Sequence, residues 1–229
     1  MTTYINEEDR PFQEKLISLA DDQTVAWVNK KSSEFIRLLS YYRCAMMGLE
    51  TKLNVLNEEF SLQHDRNPIN SIKSRLKTPK SLQHKLERKG LPMSIAAIEK
   101  HIDDVAGIRV VCSFQDDVYM IAEALLKQDD ITLVRCKDYI ATPKENGYRS
   151  LHLIVAVPIY LASERHVMRV EVQLRTIAMD CWASLEHQLR YKKDHELTAD
   201  ACGELKYCAE LSAELDRRMS KLQQEVQPG

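Results

Sequence analysis

The alternation of strands and helices in the second half of the chain most restricts how it can fold. GIRVVCSF predicts a strand, QDDVYMIAEALLKQ has the spacing of an amphipathic helix, and ITLVRC predicts a second strand. After a loop, LHLIVAVP and HVMRVEVQLRT predict two further strands joined by a polar turn. Together with one earlier strand and several helices, this order indicates an α+β fold. We expect a mixed, partly antiparallel sheet of about five strands, flanked by helices.

The first third of the chain is predicted to be mainly helical. Apolar residues recur every three or four positions from about 22 to 64, which predicts a long helix after a shorter one at about 7–20. INSIKSRLK predicts the early strand, and Pro79 begins a helix that ends near Gly90. The predicted regions are an N-terminal helical region at 1–66, a core at 67–192 and a C-terminal helix at 193–229.

The composition argues against a general nucleic-acid binder and against a membrane protein. The 32 basic and 34 acidic residues give a net charge of −2, whereas proteins that bind long nucleic acids are usually basic. The longest apolar run is too short to span a bilayer, and the N-terminus has no hydrophobic signal region. None of the six cysteines forms a CxxC pair, and Cys112, Cys136 and Cys181 are expected to be small core residues. We expect a cytoplasmic protein with no membrane and no stable nucleic-acid partner.

The strand HVMRVEVQLRT has two faces of opposite character. Alternate residues from 168 to 174 are apolar, and alternate residues from 169 to 175 are Arg, Glu, Gln and Arg. A solvated sheet face shows the same alternation, so this strand alone leaves both explanations open. INSIKSRLK adds three cations on one face, and Arg109 points away from its apolar neighbours. A cationic face with few carboxylates favours phosphate binding.

Two acidic positions stand out against this cationic face. Asp103-Asp104 end a short helix before GIRVVCSF, and Glu171 lies within the polar row. If they converge, they can hold Mg²⁺, which binds few carboxylates and completes its shell with phosphate oxygens and water. A carboxylate beside such an ion could also take a proton from a sugar hydroxyl. An aspartate pair before a strand is more often a cap or an ion-pair partner, so spacing alone does not prove convergence.

Four strings, taken together, resemble the synthetase domain of RelA/SpoT-family alarmone synthetases. They are IKSRLKTPKS, HIDDVAGIRVVCSF, KDYIATPKENGYRSLH and VEVQLRTIAMDCWASLEHQLRYK, in the family's order. The chain resembles the small, single-domain members. This implies a nucleotidyltransferase-like fold and Mg²⁺-dependent transfer of the β,γ-pyrophosphate of ATP to the 3′-hydroxyl of GDP or GTP. The products would be AMP and the stringent-response alarmones ppGpp or pppGpp.

The resemblance also implies roles for individual residues. Asp104 and Glu171 match the family's catalytic and metal-binding acids, and Glu171 would take the proton from the 3′-hydroxyl. Arg75 and Arg109 match the arginines that sandwich the adenine of ATP. The other positions expected to bind ATP, through its phosphates, are Lys77, Ser81, Arg88 and Lys89.

A second set of positions is expected to bind the acceptor nucleotide. By resemblance, the GDP- or GTP-binding residues are Lys137, Lys144, Tyr148, His152, Gln173 and Asp180. Tyr148 would stack on guanine, Lys144 and His152 would contact phosphates, and Asp180 could accept hydrogen bonds from guanine N1 and N2. Residues 135–138, RCKD, resemble the basic version of a family motif that tends to accompany use of GDP as well as GTP.

Further expectations concern assembly and competing activities. Small synthetases of this family are commonly homotetramers, so a homo-oligomer is implied. His64-Asp65 spells a dipeptide of the family's hydrolase half without its other histidines, so we expect no hydrolase activity. Two alternatives stay open: a transferase on the same fold with another acceptor, such as the 3′ end of tRNA, and a non-catalytic nucleotide-binding module. The second would not need a general base such as Glu171.

Overall fold

The computed structural model describes residues 32–64, 66–191 and 197–226. The helices are α1 (Ser32–His64), α2 (Pro79–Arg88), α3 (Ile95–His101), α4 (Gln115–Leu126), α5 (Ile177–Tyr191) and α6 (Ala199–Val226). The strands are β1 (Ile69–Leu76), β2 (Ala106–Cys112), β3 (Thr132–Asp138), β4 (Leu151–Tyr160) and β5 (Arg165–Thr176). The helix predicted at about 7–20 and the start of the one predicted from about 22 lie outside the described residues.

The five strands form one sheet in the order β1-β2-β5-β4-β3. β2 and β5 pair in parallel, and the other three pairs are antiparallel. The parallel pairing needs a long crossover, which α4 and the β3-β4 pair supply between the two strands. The predicted α+β class, with a mixed sheet of about five strands, is confirmed.

The long helix α1 and the sheet bury a common core. The predicted apolar stripe of α1 is confirmed, since Phe35, Leu49 and Leu53 are almost fully buried in one cluster with Val110 of β2 and Val172 of β5. This side of the sheet therefore takes the apolar rows of the strands and leaves the polar rows on the other side. The division of the chain at 66 and 192 stays a prediction.

Side-chain caps fix the beginnings of the two short helices beside the polar face. Thr78 accepts a hydrogen bond from the backbone N–H of Ser81, and Pro79 occupies the first turn of α2. Ser94 accepts from the backbone N–H of Ala97 and begins α3 in the same way. These caps hold α2 and α3 at the entrance to β2.

The cysteine prediction is only partly correct. Cys112 is buried in β2, but Cys136 and Cys181 are exposed, so the expectation that they are core residues is wrong. Cys136 lies on the edge strand β3, and Cys181 lies on the outer side of α5 with Leu185 and Leu189, which are also exposed. An apolar pattern does not tell which side of such an element is covered. Within the described ranges, no helix is long and apolar enough to cross a membrane.

Candidate functional site

Polar residues from all five strands meet in one row across the sheet. Pairing aligns Lys73 with Arg109, and Arg109 with Gln173. It then aligns Gln173 with His152, and His152 with Lys137. Paired residues point to the same face of a sheet, so the polar rows predicted separately for β1, β2 and β5 are continuous.

A neighbouring row carries Glu171 at its centre. It aligns Arg75 with Gly107, Gly107 with Glu171, Glu171 with Ile154, and Ile154 with Arg135. Gly107 lies beside Glu171 and has no side chain, and a Cβ atom there would meet nothing within 4 Å. The missing side chain leaves open space next to the carboxylate.

Two clefts open on this face and share Asp104 and Glu171. The β1 cleft has a volume of about 360 Å³. The predicted site residues that line it, besides the two acids, are Arg75, Lys77, Ser81, Arg109 and Gln173. The β3 cleft has a volume of about 330 Å³. The predicted site residues that line it, besides the two acids, are Lys89, Lys137, Lys144 and His152.

The clefts do not gather every predicted residue. Arg88 ends α2 with an exposed side chain and lines neither of the two clefts, and Lys89 lies in the β3 cleft, apart from Arg75 and Arg109. Tyr148 and Asp180 also line neither cleft, but both contact residues that do. The roles of all these residues stay predictions.

Two lysines hold the carboxylate of Asp104. Lys77 Nζ lies 2.9 Å from Oδ2, and Lys85 Nζ lies 2.7 Å from Oδ1. Burial raises the pKa of Asp104, but the hydrogen bonds and charges of the two lysines outweigh it, so the pKa is lower than usual. Asp104 is therefore ionised at neutral pH, and the two lysines compensate its negative charge. The same lysines could also bind phosphate oxygens.

Asp103 has a separate structural role. Its carboxylate binds Arg169 Nη1 at 2.6 Å and Arg135 Nη1 at 3.1 Å. Arg169 also donates to the backbone carbonyl of Glu99 in α3. Asp103 therefore ties the end of α3 to β5 and β3, and Asp104 turns toward α2.

Glu171 is held by neighbouring side chains of β4 and β5. His152 Nδ1 lies 3.2 Å from Oε1, and Gln173 Nε2 donates to Oε2 at 2.8 Å. Burial raises the pKa of Glu171, but the contacts with His152 and Gln173 outweigh both burial and the repulsion from Asp104, so the pKa is lower than usual. The two site carboxylates are thus close enough to repel each other, and both are ionised at neutral pH.

Behind Glu171, a chain of hydrogen bonds runs through Tyr148. The hydroxyl of Tyr148 lies 2.8 Å from His152 Nε2, and Arg175 Nη2 donates to that hydroxyl at 2.5 Å. Arginine can only donate, so the hydroxyl accepts from Arg175 and can donate its own hydrogen bond to Nε2 of a neutral imidazole. The ring proton of His152 then lies on Nδ1, where it is donated to Glu171.

Three residues at the site had no predicted role. Arg175 is only 4% exposed and, besides Tyr148, donates to Gln173 and Asp180. Lys85 holds Asp104, and Tyr139 packs edge-on against Tyr148, with Lys144 Nζ 4.7 Å from the Tyr139 ring centre. The sequence could have indicated two of them. Arg175 continues the polar row of β5, and Lys85 lies one turn after Ser81 on α2. The packing of Tyr139 depends on loop geometry that spacing does not give.

The donor set fits a magnesium ion shared with a ligand. Within the described ranges, no group of three or more His, Cys, Asp or Glu side chains could hold a metal by itself. Asp104 and Glu171 line both clefts, and their oxygens are the hard ligands that Mg²⁺ prefers. Mg²⁺ commonly takes one or two carboxylates and completes its shell with phosphate oxygens and water, which a pair of acids between two clefts allows.

Comparisons with known proteins agree on one family. The family profile described as "Region found in RelA / SpoT proteins" matches residues 74–196. GTP pyrophosphokinase YwaC of Bacillus subtilis (strain 168) is 43% identical over 188 residues, which cover 82% of this chain and 90% of that protein. GTP pyrophosphokinase YjbM of the same strain is 38% identical over 192 residues, which cover 83% and 89%. The crystal structure of small alarmone synthetase 1 from Bacillus subtilis bound to its product pppGpp superposes with a TM-score of 0.78 and 36% identity, covering 85% of this chain and 98% of that one.

Proposed function

The chain belongs to the RelA/SpoT family, and on that premise we propose that it is a GTP pyrophosphokinase. It transfers the β,γ-pyrophosphate of ATP to the ribose 3′-hydroxyl of GDP or GTP and releases AMP. The observation that carries this proposal is the pair of ionised carboxylates, Asp104 and Glu171, at the boundary of two cationic clefts. A reaction that transfers a group from one nucleotide to another needs such a boundary, because donor and acceptor must meet at one point.

The β1 cleft is proposed to bind ATP. Arg75 and Arg109 come from paired strands and line the same cleft, so their guanidinium planes can hold the adenine between them. Lys77 and Ser81 line the side of the cleft near Asp104, where they support the phosphates. The pyrophosphate then lies between the two clefts.

The β3 cleft is proposed to bind the acceptor. Lys137 and Lys144 line it and supply donors for the phosphates of GDP or GTP. His152 also lines it, and it would donate to a phosphate by exchanging its contact with Glu171. Tyr148 lies outside the lining of this cleft and contacts His152 through its hydroxyl. Its ring is proposed to stack on guanine. Asp180 is ion-paired with Arg109 and Arg175, so the proposed guanine-binding acid also contacts the arginine proposed to stack on adenine.

Glu171 is proposed to act as the general base. Its lowered pKa keeps it ionised at neutral pH, ready to take the proton of the 3′-hydroxyl. The 3′ oxygen bonds to the β-phosphorus of ATP while the bond from that phosphorus to the α,β-bridging oxygen breaks, and AMP leaves. Asp104 and Glu171 would hold Mg²⁺, which supplies compensation for the negative charge of the transferred pyrophosphate.

Transfer of a labelled pyrophosphate tests this proposal. The protein is incubated with γ-labelled ATP, Mg²⁺ and GDP, GTP or tRNA, and the products are separated. Label in ppGpp or pppGpp is expected, and Glu171→Gln is expected to abolish it while nucleotide binding persists. Label in tRNA would point to the alternative acceptor, and no transfer to any acceptor would leave a binding module.

We also propose a cytoplasmic homo-oligomer, a homotetramer by resemblance, without hydrolase activity. Apolar side chains on the outer faces of α5 and α6, including Leu185, Leu211 and Leu215, are about half exposed and support contact between copies. Light scattering after size exclusion measures the assembly, and a monomer at micromolar concentration would contradict it. Incubation of the labelled product with the protein and a divalent cation tests for hydrolysis.

A further inference from the structure

The last helix, α6, lies directly against the loop that carries Tyr148. Gly147 has a φ of +86°, in the left-handed region that favours glycine. A Cβ atom at Gly147 would lie 2.4 Å from Cβ of Ala209 and 3.6 Å from the backbone oxygen of Lys206, so no side chain fits at this position. The loop backbone therefore rests on the helix at a point where both residues are small.

Hydrogen bonds hold the loop and α5 against α6 at the same place. Arg149 Nη1 donates to the backbone carbonyl of Ala209 at 3.0 Å, and Trp182 Nε1 donates to that of Leu205 at 2.8 Å. Trp182 and Ala209 belong to one small buried cluster, and the half-buried ring of Tyr148 packs against it. The position of that ring therefore depends on α6.

A second contact joins α6 to the beginning of α5. Asp216 is only 7% exposed, and its Oδ2 accepts a hydrogen bond from the hydroxyl of Thr176 at 2.7 Å. The same hydroxyl oxygen accepts from the backbone N–H of Met179 at 3.1 Å and so caps α5. Asp180 lies in the first turn of α5, and Arg175 immediately precedes the cap. Asp216 thus orients the segment that holds both residues.

We propose that α6 positions the acceptor half of the site. Ala209 supports the Tyr148 loop, and Asp216 fixes the beginning of α5. The inference rests on the proposed function and assigns a determinant of acceptor affinity to a helix that begins after the 74–196 segment matched by the family profile. The loop that rests on α6 carries Tyr148, a proposed acceptor residue, and the β1 cleft has no residue from that loop or from α6. The larger effect of changes at Ala209 is therefore expected on the acceptor nucleotide.

Overpacking at Ala209 tests whether this residue supports the Tyr148 loop. Ala209→Leu is expected to raise the Kd of GDP about tenfold, because the added atoms displace the loop, and to leave the Kd of a non-hydrolysable ATP analogue unchanged. Cys208→Leu is the matched control, since it adds the same side chain at the next, exposed position of α6. Calorimetric titration measures both constants, and circular dichroism checks that each variant is folded. Equal Kd values for GDP in wild type and Ala209→Leu, or equal losses for both nucleotides, would overturn the proposal.

A pair of variants at Asp216 tests, without overpacking, whether this residue fixes the beginning of α5. Asp216→Asn keeps an acceptor for the Thr176 hydroxyl and is expected to preserve acceptor affinity, whereas Asp216→Ala is expected to raise the acceptor KM severalfold with a smaller change in kcat. If both variants keep the acceptor KM of the wild type, the anchoring role is refuted. Label transfer by the wild type is measured alongside. Without that transfer the proposed function itself fails, whereas transfer with unchanged variants refutes only the role of α6.

Discussion

Replacing Tyr148 by phenylalanine separates two roles that this residue is proposed to have. The ring stays available for stacking on guanine, and only the hydroxyl that joins Arg175 to His152 is lost. Without that hydroxyl, Nε2 of His152 loses its donor and the ring proton is no longer held on Nδ1, next to Glu171. We therefore expect Tyr148→Phe to lower kcat and to leave the acceptor KM within about twofold, because stacking is retained.

The size of the effect follows from the remaining contacts. Arg175 keeps Asp180 and Gln173, so the loss of stability is expected at about 1–2 kcal/mol, near the lower end for a hydrogen bond to a charged group. A general base contributes on the order of 10²–10⁴ to a rate, and its orientation is part of that, so we expect kcat to fall about ten- to 100-fold. Tyr148→Ala, in contrast, removes the ring and should raise the acceptor KM about 5- to 150-fold, for a stacking loss of about 1–3 kcal/mol.

Steady-state kinetics with ATP held at saturation and GDP or GTP varied gives both parameters. Thermal denaturation of each variant provides the control for stability, at about 2–4 °C for each kcal/mol in a chain of this length. If Tyr148→Phe raises the acceptor KM as much as Tyr148→Ala does and leaves kcat unchanged, the hydroxyl serves binding and the hydrogen-bond chain has no part in orienting Glu171.

Two further outcomes are expected from buried charged groups. Arg175→Met should destabilise the fold by about 3 kcal/mol, because Tyr148, Gln173 and Asp180 all lose a buried hydrogen-bond donor. Urea unfolding measures this with Arg175→Lys as the control, and an unchanged midpoint would contradict it. Burial raises the pKa of Asp216 and outweighs the hydrogen bond from Thr176 and the charge of Arg149. The folded protein then binds this proton more tightly than the unfolded chain. The free energy of unfolding of the wild type should therefore fall relative to that of Asp216→Asn as the pH rises from below 3.8 to above the raised pKa of the folded protein. Parallel pH titrations of the unfolding free energy in the two proteins should therefore diverge, and a constant difference would refute the assignment.

Periodicity predicted the fold well, because each strand and helix buries one side. The apolar stripe of α1 and the alternation of β5 follow from that requirement and recur in the structure. Register across the sheet was not predictable, yet it is what aligns Lys73, Gln173 and Lys137 in one row. Pairing partners far apart in sequence are chosen by the whole core, which local spacing does not encode.

The site was predictable in composition more than in arrangement. Resemblance named residues that do line the two clefts, such as Arg75 and His152. It did not indicate that Arg175 links Tyr148 to Asp180, nor that Ala209 touches Gly147. These contacts join loops and helix surfaces with no shared period, and so only coordinates reveal them.

The parallel pairing of β2 with β5 has a consequence for how the protein folds. Gly107 faces Glu171 in that pairing, and Asp104 immediately precedes β2, so the two carboxylates meet only when strands distant in sequence have joined. Contacts of high sequence separation form slowly, because the entropy of closing a long loop is lost before the contacts compensate for it. Hairpin-like pieces such as β3-β4 can form early, but they cannot assemble the acidic pair. The competence to bind the proposed magnesium ion should therefore appear late in refolding, together with the full cooperative transition.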